Sequence, residues 1–109
     1  TTNLRNRKMD KRIDQIIANL KDVYDPEIPV NIYDLGLVYN VDVDDSGIAN
    51  IIMTLTAPGC PVADMLLEEA RQSALLVEGI TAAHVELVFD PPWDKSMMSE
   101  EARLELGFF

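Results

Sequence analysis

Apolar residues recur at helical spacing near the start of the chain. Five of them fall on one face of a helix over residues 10–23: Ile13, Ile16, Ile17, Leu20 and Val23. Pro26 follows, and a proline disfavours helical conformation at the residue before it, here Asp25. The spacing therefore predicts a helix over residues 10–23 that ends before the proline.

The segment that follows the helix, DPEIPVNIYDLG, has two prolines within four positions. Proline fixes its own backbone and cannot donate a backbone hydrogen bond, so this composition predicts an ordered loop. Four apolar residues predict that the loop packs onto the core: Ile28, Val30, Ile32 and Leu35.

From residue 37 onward the apolar period changes to two, which is the period of a half-buried strand. The inward positions of a first strand are Leu37, Tyr39, Val41 and Val43, with Asn40 and Asp42 facing outward. The sequence DDSG at 44–47 is a turn signal, and a second strand runs from Ile48 to Thr56. Its inward positions are Ile51, Met53 and Leu55, and its outward positions are Asn50, Thr54 and Thr56. The two runs predict a β-hairpin.

A second helix is predicted over residues 61–78, because Pro61 suits a first helical position and Gly79 suits the residue past the end. A third strand over 81–89 places Ala83, Val85, Leu87 and Phe89 on one side, opposite His84 and Glu86. Ser99 and Gly107 predict the two ends of a short last helix.

The element order is α-β-β-α-β-α, so we expect a two-layer α+β domain over residues 10–109 with its helices on one sheet face. Residues 1–9 are expected to form a disordered or basic N-terminal arm.

Charge is unevenly distributed along the 109 residues, whose net charge is −10. Five of the nine basic residues lie in the first twelve positions, and from Ile13 onward 18 acidic residues face 4 basic ones, a net charge of −14. Nucleic acids are bound through Lys and Arg, so we expect no nucleic-acid partner. We also expect no membrane partner, since no apolar run reaches about 20 residues. The first residues lack an apolar signal core, which favours a cytoplasmic location.

The single cysteine, Cys60, lies where a strand gives way to a helix, between Gly59 and Pro61. If Pro61 is the first helical residue, the thiol is the N-cap, where unpaired N–H groups and the helix dipole stabilise a thiolate. Asp64 and the acidic surface oppose a second negative charge, so the sequence does not set the direction in which the pKa of Cys60 shifts. The alternative is a buried, inert thiol.

Three kinds of thiol chemistry are weighed for Cys60. A catalytic cysteine–histidine pair would need His84 as its base, although His84 is expected to be an exposed or satisfied sheet residue. An iron–sulfur cluster generally needs four ligands, which one cysteine cannot supply, so a cluster would be shared with another chain's thiols. A zinc site built on Cys60 and His84 has no supporting ligand spacing.

Three motifs in order, DPEIPVNIYDLGLVY, TLTAPGCP and DPPWDKSMMSEEARLELG, resemble the metal–sulfur cluster biosynthesis family, also described as PaaD-like or SufT-like. The resemblance covers roughly residues 10–107. It implies a fold like the C-terminal domain of NifU scaffold proteins, which is a small mixed sheet with helices packed on it. It also implies an accessory role in assembling or delivering iron–sulfur clusters, as an assembly or carrier factor rather than a turnover enzyme.

The resemblance further implies which residues form the functional site. The functional thiol is Cys60, which would contact iron or a cluster only transiently, with no permanently bound cofactor. The matching residues of the other motifs are Asp25, Glu27, Asp34, Thr54 and Thr56, and these are expected to line one pocket around Cys60. The implied partners are iron–sulfur assembly proteins and client apo-proteins, and an isologous homodimer is compatible with a domain of this size.

Two other functions stay open at this point. One is a non-catalytic subunit of a multicomponent oxygenase of the phenylacetate-degrading type. The other is a small thiol enzyme, which would require a Cys60 that is alkylated much faster than free cysteine.

Overall fold

The computed structural model describes residues 11–24, 28–56 and 63–107, and its elements follow the predicted order. They are α1 (Lys11–Leu20), β1 (Val38–Val43), β2 (Ile48–Met53), α2 (Ala63–Leu75), β3 (Ala82–Leu87), a 3-10 turn (Lys95–Met97) and α3 (Glu100–Leu106). The α+β prediction is therefore confirmed. The predicted N-terminal arm and the predicted site residues Asp25, Glu27 and Cys60 lie outside the described residues.

The three strands form one mixed sheet with β2 at its centre. β1 pairs antiparallel with β2, and β2 pairs parallel with β3 over the whole length from Ile48–Ala82 to Met53–Leu87. Parallel neighbours need a crossover connection, and α2 lies in that connection. The hairpin turn between β1 and β2 is held by Asp44, whose carboxylate accepts hydrogen bonds from the N–H groups of Ser46 and Ile48. The mixed sheet implied by the family resemblance is thus confirmed.

Both longer helices cover one face of the sheet, and the other face is open. The covered face carries Ala49, Ile51 and Met53 of β2, which are all at most 1% exposed. The buried positions of the two helices pack against it: Ile13, Ile16 and Leu20 of α1, and Leu66, Ala70 and Ala74 of α2. The open face carries Asn50, His84 and Glu86, which are all exposed. This is the predicted two-layer arrangement.

The predicted helices extend too far at their C-terminal ends. α1 ends at Leu20, three residues before the predicted end, because the N–H groups of Asp22 and Val23 bond to residues three positions back rather than four. α2 ends at Leu75 for the same reason, since Val77 bonds to Ala74. Val23 and Val77 are nevertheless buried. Apolar periodicity reports burial and therefore does not locate the last hydrogen bond of a helix.

The prediction that Tyr39 faces inward on β1 is wrong, because the strand contains a β-bulge. Val38 pairs with Met53 and Asn40 pairs with Ile52, so Tyr39 is an extra residue on the β1 side. The bulge places Val38 against the core and removes Tyr39 from it. The Tyr39 hydroxyl instead donates a hydrogen bond to the carbonyl of Pro91 at 2.8 Å.

Two side chains at the far end of the sheet lie opposite to their predicted environments. The alternation predicts that Thr54 faces outward and Phe89 inward, but Thr54 is fully buried and Phe89 is 41% exposed. Both lie beyond the strands, which end at Met53 and Leu87. The alternation of faces stops where the pairing stops, so a period of two predicts nothing about them.

The segment 91–99, here called the C-terminal strap, packs on the loop that precedes β1. The Trp93 indole N–H donates to the carbonyl of Leu35 at 2.7 Å, and the backbone N–H of Ser99 donates to the carbonyl of Asp34 at 2.8 Å. Trp93 also packs against the core. The Ser99 side chain then caps α3, and Gly107 ends it in the left-handed conformation, as the sequence predicts.

The contact between loop and strap is so close that it needs a glycine at position 36. Gly36 has a φ of 82°, and a Cβ added there would lie 2.7 Å from the carbonyl carbon of Met97. We expect Gly36→Ala to lower the free energy of unfolding by roughly 3 kcal/mol, since the strained backbone and the overlap both add cost. The measurement is the denaturation midpoint in urea.

Gly107→Ala is the matched control, because Gly107 has a similar φ of 77° but no neighbouring atom within 4 Å of the added Cβ. We expect it to cost only the backbone strain of about 1–2 kcal/mol. Equal losses for the two variants would contradict the close contact between loop and strap.

Candidate functional site

The predicted site residues Asp25, Glu27 and Cys60 lie in two chain segments that the structure does not describe, but the residues flanking those segments are described. Asp25 and Glu27 lie in the segment 25–27, which is followed by Ile28. Cys60 lies in the segment 57–62, which is preceded by Thr56. The positions of Ile28 and Thr56 therefore show where the described chain meets these segments.

Ile28 and Thr56 line the same cavity, which has a volume of about 280 Å³. We call it the site cavity, and its described lining residues are Ile28, Pro29, Leu35, Thr56, Trp93, Lys95, Met98 and Leu106. Loops that are far apart in the sequence thus meet here with the C-terminal strap and α3. One end of the segment with Asp25 and Glu27 and one end of the segment with Cys60 therefore adjoin the same cavity.

The loop that carries Asp25 and Glu27 is closed at its base by backbone hydrogen bonds. Tyr24 and Asn31 form an isolated antiparallel bridge, and the N–H of Ile32 donates to the carbonyl of Val23 at 2.8 Å. Within the loop, the N–H of Val30 donates to the carbonyl of Ile28 at 2.8 Å. These bonds fix the described residues on both sides of the segment 25–27.

Asp34 is held by a buried asparagine. Asn31 is 8% exposed; its side-chain amide donates to the Asp34 carboxylate at 2.9 Å, and its amide oxygen accepts from the Asp34 N–H at 2.8 Å. Asp34 does not line the site cavity but two neighbouring ones, of about 130 and 500 Å³. The next residue, Leu35, does line the site cavity. Leu35 rather than Asp34 therefore lines the site cavity, and the Asp34 carboxylate is bonded to Asn31.

Thr54 and Thr56 occupy different environments, although both precede Cys60 in one motif. Thr56 is exposed and lines the site cavity. Thr54 is fully buried, with its backbone N–H bonded to the carbonyl of Leu37 at 2.8 Å. Among the described residues its hydroxyl reaches only the carbonyl of Leu55, at 3.5 Å. That distance lies at the outer limit of a hydrogen bond, so this buried hydroxyl is poorly satisfied by the described chain.

The charges beside the cavity are mostly negative. Asp34, Glu101 and Glu105 line the neighbouring 130 Å³ cavity, which shares Pro29 with the site cavity. Lys95 is the one cation among the described residues that line the site cavity. The preceding Asp94 carboxylate accepts a hydrogen bond from the N–H of Ser96, and its hydrogen bonds to Ser96 lower the pKa of Asp94.

His84 is not part of this arrangement. It is exposed on the open face of the sheet, in register with Asn50, and it does not line the site cavity. The described residues therefore offer no histidine base to a thiol at this cavity. In the same ranges, 11–24, 28–56 and 63–107, there is no group of three or more His, Cys, Asp or Glu residues that could hold a metal ion. No helix within the described chain combines the length and the apolar character that crossing a membrane requires.

Sequence reasoning did not single out several residues that build the site, among them Asn31, Lys95 and Leu106. A signal existed for Asn31, since an asparagine whose side chain bonds a nearby backbone N–H is typical of tight turns. Lys95 and Leu106 gave no such signal, because only the path of the strap and of α3 brings them to the cavity.

Comparisons with known proteins show which family the chain resembles. The sequence model of the family described as "Iron-sulfur cluster assembly protein" matches residues 13–87. A Porphyromonas gingivalis protein named Fe-S protein maturation auxiliary factor is 55% identical over 87% of this chain and 90% of its own length. An Escherichia coli protein, named as a putative component of 1,2-phenylacetyl-CoA epoxidase, is 38% identical over 87% of this chain but 57% of its own length.

A solved structure also has the same fold as this chain. The crystal structure of a domain of unknown function from Bacillus anthracis matches with a TM-score of 0.86 and 35% identity, over 98% of this chain and 100% of that chain. The family resemblance that the three motifs carry is thereby confirmed. The chain belongs to the iron–sulfur cluster assembly protein family.

Proposed function

We propose that the protein is an accessory factor in iron–sulfur cluster assembly or delivery and that the thiol of Cys60 is the group that contacts the cargo. Family membership supports the first part. The second part is supported by one observation above all, which is that Ile28 and Thr56 line a single cavity. The end of the segment with the two acidic residues and the start of the segment with the thiol therefore adjoin the same cavity.

The chemistry of the cargo explains why these residue types suit it. A thiolate is a soft ligand that iron in clusters prefers, whereas carboxylates are hard ligands that suit free iron. One cysteine supplies one of the four ligands that a cluster generally needs, so the remaining ligands come from the donor or the acceptor protein. In this proposal Cys60 binds iron or a cluster transiently, and Asp25 and Glu27 supply carboxylates to the same cargo. No cofactor is held permanently.

The neighbouring residues position this site rather than touch the cargo. Asn31 and Asp34 hold each other through two hydrogen bonds, and this pair fixes the turn that brings Leu35 to the cavity. Thr54 is buried at the end of β2 with a poorly satisfied hydroxyl, two residues before the exposed Thr56. In this proposal the Thr54 hydroxyl positions the chain from Leu55 to Thr56, which leads into the segment that carries Cys60.

Partners follow from this role. They are iron–sulfur assembly proteins, which donate the cargo, and client apo-proteins, which accept it; both belong to the cytoplasm in this proposal. Because cargo ligands come from the partner, the complex is transient and the thiol must be within the partner's reach.

A second candidate function is supported by the E. coli relative that is named as an epoxidase component. In this alternative the protein is a non-catalytic subunit of a multicomponent oxygenase. The chain spans only 57% of that relative, whereas it spans 90% of the P. gingivalis maturation factor. The maturation role is therefore the better supported one. A gene located among oxygenase genes would favour the alternative, and one located among cluster-assembly genes would favour the maturation role.

Replacing the thiol tests the proposed function directly. We expect Cys60→Ala to leave the unfolding midpoint close to that of the wild type. In cells that lack the native protein, it should reduce the activity of a [4Fe–4S] client enzyme to the level seen without any accessory factor. The measurement is client activity in extracts, normalised to client protein. Ser46→Ala, in the hairpin turn at the opposite end of β2, is the matched control and should restore full activity. Full activity with Cys60→Ala would contradict the proposed function.

A pair of substitutions at Thr54 separates the hydroxyl from the packing. Thr54→Val keeps the shape but removes the poorly bonded hydroxyl, so its stability should equal or exceed the wild type by up to about 1 kcal/mol, while client activity falls. Thr54→Ser keeps the hydroxyl but removes a buried methyl group, which should cost about 1 kcal/mol while client activity is retained. If Thr54→Val supports full client activity, the hydroxyl has no role in positioning the chain that leads to Cys60.

A further inference from the structure

The outer edge of β3 carries backbone groups that pair with nothing in the described part of the chain. In the parallel pair with β2, the N–H of Val88 donates to the carbonyl of Met53 at 2.9 Å. Successive residues of a strand point their N–H and C=O groups to opposite sides, so those of Ala83, Val85 and Leu87 face away from β2. No other backbone group of the described residues bonds to them. Such a row of unpaired donors and acceptors is a template for a further strand.

The opposite edge of the sheet, on β1, is obstructed in ways that natural proteins use against edge pairing. Tyr39 forms a β-bulge there, and its hydroxyl is bonded to the carbonyl of Pro91 at 2.8 Å. The N–H of Val43 is bonded to the carboxylate of Asp42 at 3.1 Å. In contrast, β3 pairs with β2 over its six residues without a bulge, and its sequence AAHVEL contains no proline, glycine or lysine. The edge that is open to pairing is therefore that of β3.

A second copy of the same strand fits this edge best in one antiparallel register. Only the odd-numbered residues of β3 present their backbone groups outward, so they must face odd-numbered residues of the second copy. When the pair is centred on Val85, Val85 bonds its own counterpart and Ala83 bonds Leu87 at each end, which gives about six hydrogen bonds. Centring the pair on His84 or Glu86 leaves one of the three outward residues without a partner in the strand, and only about four bonds form.

The side chains of the open face favour the same register. A pair centred on Val85 sets His84 opposite Glu86 of the second copy, and Glu86 opposite His84. Both side chains are exposed, and both positions are non-hydrogen-bonded pairs, in which opposing side chains lie closest together. An imidazole N–H donates to a carboxylate in such a pair, whereas centring on Glu86 would set two carboxylates against each other.

On the covered face the same register buries apolar surface. Val85 and Leu87 are only half-buried, and they pack against the core at this edge of the sheet. The second strand would cover their exposed part, with Val85 beside its counterpart and Leu87 beside the buried Ala83. The strand is therefore complementary to itself on both faces, which favours a second copy over an unrelated peptide.

We propose that the outer edge of β3 is an interface at which two copies of this chain pair, antiparallel and centred on Val85, into one continuous sheet. One strand from each copy makes a small interface, so the association is weak, with a dissociation constant of roughly 10 µM to 1 mM. The two-fold axis places the two site cavities at opposite ends of the joined sheet, because each lies beyond the end of β2 in its own copy. This inference does not depend on the proposed function.

Amide hydrogen exchange, followed by NMR at two protein concentrations, measures the pairing residue by residue. The N–H groups of Ala83, Val85 and Leu87 should exchange at least about twofold more slowly at about 2 mM than at about 0.05 mM. Those of His84 and Glu86 face β2 and should exchange slowly at both concentrations. The N–H of Val41, on the outer side of β1, is the internal control and should not change with concentration.

Substitutions of exposed side chains test the register, with the dissociation constant measured by sedimentation equilibrium. His84→Glu sets carboxylates against each other at both cross-strand positions and should weaken association about tenfold. Leu104→Glu adds the same charge at an exposed position of α3 and, as the matched control, should change it less than about twofold. Combining His84→Glu with Glu86→His exchanges the two side chains and should restore association to within about threefold of the wild type. Circular dichroism of each variant confirms that it is folded.

Each other outcome overturns the inference. A chain that stays monomeric at about 2 mM does not pair at this edge. Dimers whose formation leaves exchange at Ala83, Val85 and Leu87 unchanged use another surface. Slow exchange of these three N–H groups at every concentration, without dimers, would show that another part of the same chain covers the edge. Association that His84→Glu weakens but the exchanged double variant does not restore would rule out the register centred on Val85.

Discussion

The hydrogen bond from the Trp93 indole to the carbonyl of Leu35, at 2.7 Å, holds together the parts of the chain on which the site depends. It joins the C-terminal strap to the loop before β1. A second bond, from Ser99 to the carbonyl of Asp34, continues the same contact, and Gly36 allows the backbones to approach. Leu35 and Trp93, which this bond joins, both line the site cavity. The cavity is therefore a product of long-range packing, built on a sheet whose own residues do not line it.

The architecture separates the buried core from the cavity where we propose the functional site. The sheet and its two long helices bury the core, and the cavity lies beyond the end of β2, where the chain passes from Thr56 into the segment with Cys60. Functional groups commonly lie at the carboxyl ends of parallel strands, because the loops that follow those strands share one edge of the sheet. β2 and β3 form such a parallel pair here. Under the proposed function, a single thiol in the segment that follows β2 suits a factor that hands its cargo on, since a full set of ligands would retain the cargo.

The sequence predicts the elements and much of the core, because burial on one face imposes a period that can be counted. It predicts the apolar loop residues Val30, Ile32 and Leu35 correctly, and all three are buried. It fails at Tyr39, where a bulge inserts one residue, and at Thr54 and Phe89, which lie past the paired part of the sheet. These errors share a cause: the pattern of faces depends on strand pairing, which one sequence does not report.

The candidate site is predictable only in part. The motifs indicate Cys60 and its companions, and the exposed Thr56 lies where the described chain leads into the thiol segment. The apolar lining gives no sequence signal, because Trp93 reaches the cavity through its contact with Leu35, more than 50 positions away. For Asp34 the motif is recognisable in the sequence, but the sequence does not show that its carboxylate is bonded to Asn31 and does not line the site cavity.

The meeting of two distant segments at one rim is the central claim, and a spin label on the native thiol measures it most directly. With a nitroxide on Cys60, paramagnetic relaxation should broaden the amide signals of Ile28 and Leu35 and the indole signal of Trp93. It should spare the signals of Ser46 and Gly47, because β2 separates the two ends of the sheet by about 20 Å. Unbroadened signals from Ile28 and the Trp93 indole, in a labelled protein that remains folded, would contradict this claim.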